Sequence, residues 1–463
     1  MSGKKSKNLS KKTKNLSKKS KNLSKKTKNL SKKSGNLSKI INTKLGQLLI
    51  EIDCKSAKSF ILNLAINRKI TPTIPELANA ELMNELYQIK KEKNKKYPER
   101  IWFRARNYTN DYELVSSSKR KFDGQFLSAP SIVVVSRAYF KTWEIFHYFK
   151  DINFVSLKND FIYVGLAEGP GGMAQSVLDF RRRFAKKYSK NDNYFAITLK
   201  EGPQESTKWG EQFPQLDKVK INYGSEKYGG ANDGNLLNPN NIRAFRKFVG
   251  KKADLITADG GVLVDDEDSE FEVYKEQIHL ALFYNEIVAA MCLQKKGGSF
   301  VLKIYDIFTL PTVQLIFLLK IYYEKVWIFK PVTSRPANSE KYLVCANFLG
   351  VSENCIEQLL NLSEKMWNSD AKIPSSPSGI FIQSFANVDI PKNIYISIAK
   401  FNDAYVENQL ESIKKGMTVA KMMVNNRKLF NIRRRKMIDK LIKYAVKWCK
   451  KNNIPIQEKY SKL

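Results

Sequence analysis

The stretch FIYVGLAEGPGGMAQSVLDF, residues 161–180, runs from an apolar segment through a glycine-rich turn into a helical pattern. An apolar run without polar alternation belongs to a strand buried on both faces, the kind found in parallel sheets covered by helices. GPGG at 169–172 frees the backbone to approach a ligand at the carboxyl end of that strand, where such sheets bind. The spacing is not a GxGxxG dinucleotide fingerprint, and no GK[ST] follows to make a P-loop. Taken alone, the turn reads either as a ligand cradle or as a tight structural corner.

Outward from it the alternation repeats. NYFAITLK (193–200), ADLITADGG (253–261), GGSFVLKIYD (297–306), KVWIFKP (325–331) and KYLVCANF (341–348) read as strands. Between them, NPNNIRAFRKFVG (238–250) has an Asn-Pro start and a Gly stop, a long helix covers roughly 272–296, and TLPTVQLIFLLKIY (309–322) is helical. This predicts an α/β domain over 131–350 with a parallel sheet covered on both faces. Residues 40–130 read as an accessory region. Its early part, INTKLGQLLIEI (41–52) and IPELANAELMNELYQIKKEK (74–93), reads as mostly helical, and RIWFRARNYTNDYELVSS (100–117) as turn-rich. Residues 351–463 read as a helical, basic C-terminal region. Within it, residues 427–451 hold eleven Lys/Arg and one acid, with Met437, Leu441, Tyr444 and Trp448 at helical spacing. That helix packs one face and presents a cationic one, for solvent or for RNA.

The 463 residues carry 80 Lys+Arg against 45 Asp+Glu, a net charge of +35, which favours a polyanionic partner. Residues 1–39 hold five Lys-rich heptads of the type KKSKNLS, with fifteen lysines and no acid, and the remainder still carries +20. One Leu per heptad cannot build a coiled-coil seam, so this tail reads as disordered. It either tethers RNA or directs targeting, or is a neutral repeat expansion. With 26 Phe, 21 Tyr and 6 Trp to bury, the whole chain is not disordered. Two histidines, His147 and His279, argue against a His-based zinc enzyme. Five scattered cysteines without CxxC read as reduced intracellular thiols. No apolar run approaches the ~18–20 residues of a membrane span, and no secretory signal is visible, so no membrane partner is expected.

Three charged residues stand at strand ends and a fourth on a helix. Asp259 closes ADLITAD, Lys303 lies where FVLKIYD emerges from the sheet, and Glu340 opens EKYLVC. In SRAYFKTWEIF (136–146), Tyr139, Trp143 and Phe146 pack on one face and leave Lys141 on another. Two lysines and two carboxylates can thus converge at one rim.

The words SRAYFK, GPGG, ADGG, FVLKIYD and SRPANSEKY resemble the FtsJ-like, Rossmann-type 2′-O-ribose RNA methyltransferases, and most closely the cap-1 type. The resemblance covers roughly 131–350, with KPVTSRPANSEKYLVC (330–345) its most specific part. It implies a mostly parallel seven-stranded sheet with the last strand antiparallel, S-adenosyl-L-methionine as cofactor, and no metal. It places the catalytic Lys-Asp-Lys-Glu tetrad on Lys141, Asp259, Lys303 and Glu340. It places cofactor contacts on Ser136, on Ala167, Glu168, Gly169, Pro170, Gly171, Gly172 and Met173, on Asn235 and Leu236, and on Asp259. Asn338 is expected to touch the RNA. Two departures bear on the cofactor: Gly165 stands where related enzymes often carry an acid, and Lys200 precedes Glu201 where a carboxylate would cap the second strand.

A ribose 2′-hydroxyl must lose its proton as the methyl arrives, so Lys303 is expected to act as general base. That requires its pKa to fall below the reference of about 10.4, through burial and the second ammonium of Lys141. The expected function is therefore 2′-O-methylation of the first transcribed nucleotide of capped mRNA. The alternatives are methylation of another RNA position, such as cap-2 or ribosomal RNA, or a non-catalytic RNA-binding scaffold. RNA is the expected partner, with other capping or transcription proteins beside it. Asn-, Lys- and Ile-heavy composition points to AT-rich coding, as in large DNA viruses or protists. The expected place is intracellular: host cytoplasm or virion for a viral chain, nucleus for a cellular one. For the cap guanine, Trp102, Tyr108 and Trp209 are candidates, with core packing the competing reading for each.

Overall fold

The computed structural model describes residues 41–42, 47–52, 61–69, 77–116, 122, 124–158, 160–201, 209, 213–262, 274–371 and 379–463. Residues Ile40–Leu463 form one compact unit, separate from Met1–Lys39. The reading of residues 1–39 as a disordered tail lies outside the described residues.

In chain order the strands are β1 (Ile41–Asn42), β2 (Leu48–Glu51), β3 (Ile61–Asn67), β4 (Ile162–Leu166), β5 (Asn193–Ile197), β6 (Val219–Asn222), β7 (Ala253–Ala258), β8 (Gln294–Ile304), β9 (Tyr323–Lys330), β10 (Lys341–Phe348) and β11 (Phe381–Asn387). The principal helices are α1 (Ala80–Lys96), α2 (Glu99–Thr109), α3 (Ala138–Tyr148), α4 (Gly172–Phe184), α5 (Pro239–Val249), α6 (Lys275–Leu293), α7 (Leu310–Tyr322), α8 (Glu353–Trp367), α9 (Lys392–Asn425) and α10 (Arg427–Lys451).

The main sheet has the order β1-β2-β9-β10-β8-β7-β4-β5-β6. From β6 to β8 all neighbours are parallel, and β10 then inserts antiparallel between β8 and β9. This is the expected seven-stranded, mostly parallel arrangement, enlarged to nine by β2 pairing antiparallel with β9 and β1 with β2. The central strands carry the apolar runs that predicted them: Val164, Leu166, Ile197, Leu255, Ile256, Phe300 and Leu302 are buried on both faces. Each such side chain contributes roughly 1.5–3 kcal/mol on burial.

The flanks differ from the sequence reading at four places. INTKLGQLLIEI is not helical but supplies β1 and β2, because Leu48–Glu51 finds unpaired backbone along the outer edge of β9. RIWFRARNYT is not turn-rich but forms α2, which buries Trp102, Ala105 and Tyr108 at three-residue spacing. The C-terminal region is not wholly helical, since β11 pairs with β3 in a second, two-stranded sheet. Strand β6 was not anticipated, its VKIN being too short and too mixed to show a period.

Ends of elements follow local rules. Asn238 accepts from the Asn240 amide and Pro239 opens α5, while Gly250 at φ 61° closes it. In α10 the buried residues include Leu441 and Trp448, and the lysines and arginines stand exposed. Among the described residues no helix is long and apolar enough to cross a membrane, and no group of three metal-ligating side chains occurs. Cys292, Cys345, Cys355 and Cys449 are free.

Candidate active site

The tetrad assembles at the carboxyl edge of the sheet because strand register places it there. Ala258 pairs with Leu302 in the parallel β7–β8 ladder, so Asp259 follows directly beside Lys303. Tyr342 pairs with Lys303 across β10–β8, and Glu340, two residues earlier, shares that face. Lys303 Nζ lies 2.9 Å from Asp259 Oδ1 and donates to the Asp259 carbonyl at 2.8 Å. Lys141 Nζ, delivered by α3, sits 2.8 Å from each Glu340 carboxylate oxygen. The four side chains are 11–20% exposed. All four expected catalytic residues are therefore in one place, as two ion pairs side by side.

The electrostatics correct one expectation. Burial does push the Lys303 ammonium toward neutrality, but Asp259, Tyr305 and Glu340 outweigh it and hold its pKa above the ordinary lysine value. Glu340 shows the converse: burial favours its protonation, yet Lys141, Lys303 and Lys330 together hold it well below the usual carboxylate range. Lys330 itself is driven well below the usual lysine value, first by burial. It donates to Ser334 Oγ at 3.1 Å and to Asn338 Oδ1 at 2.7 Å.

The turn 167–173 stands at the carboxyl end of β4, as predicted. Ala167 has φ 49° and Gly171 φ 102°, the left-handed region. Gly171 N donates to Glu168 O at 2.8 Å, and Gly169 N donates to Thr198 Oγ1 at 3.2 Å. A Cβ on Gly171 would stand 3.1 Å from Leu216 Cδ1 and from the Trp209 ring; on Gly172 it would meet Ser136 Oγ at 2.1 Å. Pro170 thus heads a bare-backbone cradle, with Ser136 beneath it. Met173 is fully buried and Leu236 is 2% exposed. Asn235 Oδ1 accepts from the Leu237 amide, 3.0 Å away, and Lys200 N donates to Asp233 O at 2.9 Å, which sets this loop against the end of β5.

The missing acid at position 165 has a structural counterpart. A Cβ on Gly165 would lie 2.4 Å from Glu168 Oε2, so the Glu168 carboxyl fills the space that a side chain at 165 would take. Tyr163 Oη and the Ala174 amide donate to it in short bonds, and Thr257 Oγ1 donates at 3.1 Å. It therefore caps α4 in place of the side chain that Gly171 lacks. Burial pushes Glu168 up to about 8, against those hydrogen bonds. A carboxyl whose folded pKa exceeds its unfolded value favours the fold at low pH, and that contribution is lost as pH rises from about 4.5 towards 8. Glu168→Gln is accordingly expected to flatten the fall in thermal stability between pH 5.5 and 8. An unchanged slope in a pH series of melting curves would show that Glu168 is ionised in the fold.

Sequence reading missed the support behind Asp259. Glu286 and His279, two turns apart on α6, hold the backbone of 260–262: Gly260 N donates to Glu286 Oε1 at 2.9 Å and Val262 N to His279 Nε2 at 3.0 Å. The second ring nitrogen faces Lys275 O at 2.7 Å, which fixes the Nδ1–H tautomer. Burial lowers the His279 pKa to about 3 and raises that of Glu286 to about 8. Also unforeseen is Glu113, 4% exposed, which receives Arg137 Nη1 at 2.8 Å, Arg335 Nη2 at 2.7 Å and Asn110 Nδ2 at 2.6 Å. Burial opposes its ionisation, but the two guanidiniums hold its pKa down at about 2. Asn338, expected at the RNA, has its side-chain oxygen engaged by Lys330, which leaves the NH2 end to offer. Trp102 and Tyr108 are buried in the core, whereas Trp209 flanks Gly171.

Comparison with known proteins gives the following. The FtsJ-like methyltransferase family model matches residues 134–348. The cap-specific mRNA (nucleoside-2′-O-)-methyltransferase 1 of Danio rerio is 34% identical over 215 residues, covering 45% of this chain and 24% of that protein. Its Bos taurus counterpart is 35% identical over 197 residues, 41% of this chain and 22% of that one. The chain thus spans about a quarter of the length of the curated relatives it matches. A ribosomal RNA methyltransferase structure from Plasmodium falciparum aligns with 19% identity and TM-score 0.30, over 45% of this chain and 97% of that one. Human methyltransferase-like protein 13, in complex with SAH, aligns with 12% identity and TM-score 0.29, over 50% and 90%.

Proposed function

We propose, from the premise that residues 134–348 are an FtsJ-like methyltransferase domain, that the chain transfers a methyl group from S-adenosyl-L-methionine to the ribose 2′-oxygen of the first transcribed nucleotide of capped mRNA. The observation that carries this is the pairing of Lys303 with Asp259 and of Lys141 with Glu340 at one sheet edge, beside the bare turn 167–172. The turn fits the cofactor: Gly169, Gly171 and Gly172 put bare backbone along it, and Glu168 sits beneath it rather than in it. Residues 167–172, with Asn235 and the backbone of Leu236, would hold the ligand. When bound there, S-adenosyl-L-methionine would supply an electrophilic methyl group on a sulfonium that leaves as a neutral thioether.

The chain's own part is positioning and proton management. Asp259 and Glu340 hold the two ammonium groups in fixed places, and alternating charges keep the site near neutral. Lys303 takes the 2′-hydroxyl proton, and it does so as the free amine. Because the carboxylates raise its pKa in the resting protein, that amine is a minority form at neutral pH, and turnover rises with pH. Lys141 stabilises the developing alkoxide. Glu286 and His279 keep the Asp259 turn from shifting.

The deciding experiment is methyl transfer to short capped and uncapped RNAs, with mapping of the modified nucleotide. Methylation elsewhere than on the first transcribed ribose would replace the cap-1 assignment. RNA affinity is expected to fall steeply with salt through counterion release. Deleting residues 1–39, with their fifteen lysines, should reduce that slope and leave turnover on a short saturating RNA nearly unchanged. Loss of turnover on deletion would place the repeats in the active site. We further propose an intracellular site of action, with the mRNA-capping machinery as neighbours.

A further inference from the structure

Trp209 lies between β5 and β6, in none of the words that carry the family resemblance, yet the fold sets it against the glycine-rich turn. A Cβ on Gly171 would stand 3.1 Å from both Cε2 and Cζ2 of its ring. Cε2 carries the indole nitrogen, so the edge that bears the N–H is the one laid along the turn. That nitrogen is buried and has no hydrogen-bond partner among the described residues, although the side chain as a whole is partly exposed. Packing alone does not account for it. A buried tryptophan ordinarily finds an acceptor for its N–H, and a side chain with no donor to satisfy would cover Gly171 as well.

The turn has two more donors. α4 begins at Gly172, and the first amides of a helix have no partner within it. Gly171 N is taken by Glu168 O, Ala174 N by the Glu168 carboxyl and Gln175 N by Gly171 O. Gly172 N and Met173 N take no acceptor among the described residues, since Gly171 has no side chain to cap them. Glu168, pushed towards its neutral form by burial, puts no full countercharge at this helix end. The positive end of the helix dipole favours an anion there. The indole agrees with it: its nitrogen only donates, and the rim of an aromatic ring is its positive edge, so neither suits an ammonium or a sulfonium. Among the polar groups of S-adenosyl-L-methionine, the α-carboxylate alone is an anion.

Resting on the methyltransferase reading, we propose that the Trp209 indole N–H, with the free amides at the start of α4, holds the α-carboxylate of S-adenosyl-L-methionine. The test is calorimetric titration of the full chain, as wild type and as Trp209→Phe, which keeps a ring on Gly171 and removes the N–H. The probes are S-adenosyl-L-methionine, S-adenosyl-L-homocysteine, which keeps the carboxylate and lacks the sulfonium, and decarboxylated S-adenosyl-L-methionine, which keeps the sulfonium and lacks the carboxylate. The variant should bind the first two about tenfold more weakly, the size of one hydrogen bond to a charged group, and the decarboxylated compound as wild type does. Equal affinities of the two proteins for every probe would leave the N–H unused and overturn the assignment. An equal loss on all three would overturn it too, making Trp209 a packing residue of the turn, as would a loss confined to the two sulfonium compounds. Melting curves establish that the variant is folded, and Trp209→Leu, which also lacks the donor, should show the same dependence on the carboxylate. A chain that binds none of the three compounds overturns the methyltransferase reading itself, whereas normal methyl transfer without a carboxylate-dependent loss removes only this contact.

Discussion

Lys303→Arg is expected to lower turnover by about 10²-fold or more. The replacement keeps the positive charge and the partner Asp259 2.9 Å away, but a guanidinium does not deprotonate in proteins. If Lys303 only clamped a developing alkoxide, Arg would preserve a substantial fraction of the rate. The pH profile separates the roles further. A pKa raised by Asp259, Tyr305 and Glu340 puts the free amine on the alkaline side, so the wild-type rate should climb with pH through neutrality without levelling. That limb should be absent from any residual activity of the Arg variant. Cofactor affinity measured in parallel excludes a lost binding site as the cause. A near-normal rate for Arg, with the wild-type profile, would take the proton-accepting role away from Lys303.

Gly171→Val is expected to weaken cofactor binding sharply while leaving the sheet intact. At φ 102° a β-branched residue is a severe outlier, and its Cβ would press on Leu216 and Trp209 at 3.1 Å. Strain of about 1–3 kcal/mol at such a position corresponds to roughly 5–150-fold in affinity if the turn relaxes in the free protein. Gly171→Ala shares the backbone penalty without the branch and should fall between the two. Calorimetry with S-adenosyl-L-methionine, alongside melting curves, reads both effects. A folded Val variant with normal affinity would show that GPGG is a structural corner and that the cofactor sits elsewhere.

The strands around this site were legible because each is a run of apolar residues ending in a charged or glycine-rich word. FIYVGLAE, ADLITAD and FVLKIYD needed no partner to declare themselves, and their ends carry Glu168, Asp259 and Lys303. Leu48–Glu51 was illegible for the opposite reason. LLIE is four residues long, and only the open edge of β9 makes it a strand. Glu286 was hidden in ALFYNEIVAAM, where one acid in a buried helix looks like an accident until Gly260 N is found against it. The exchange between Gly165 and Glu168 is invisible along the chain, because the Glu168 carboxyl reaches the space over Gly165 only when the turn folds back. The sign of the Lys303 shift was misread because charge pairs at contact distance outweigh burial, and contact distance is not written in spacing.

Glu113 has a consequence for how RNA reaches this site. Its carboxylate is gripped by Arg137 at the start of α3 and by Arg335 in the loop that leads to Asn338 and Glu340. The Glu113 carboxylate is buried and the two guanidiniums only partly so, and a buried charge stripped of its partners costs several kcal/mol, of the order of 3–5, so the loop does not swing open on its own. The tetrad is therefore a standing surface and not a gate. RNA should dock at a rate set by diffusion and charge rather than by loop opening, and the hydrogen-bonded amides of Val332, Thr333, Ser334 and Asn338 should exchange hydrogen slowly whether or not RNA is present.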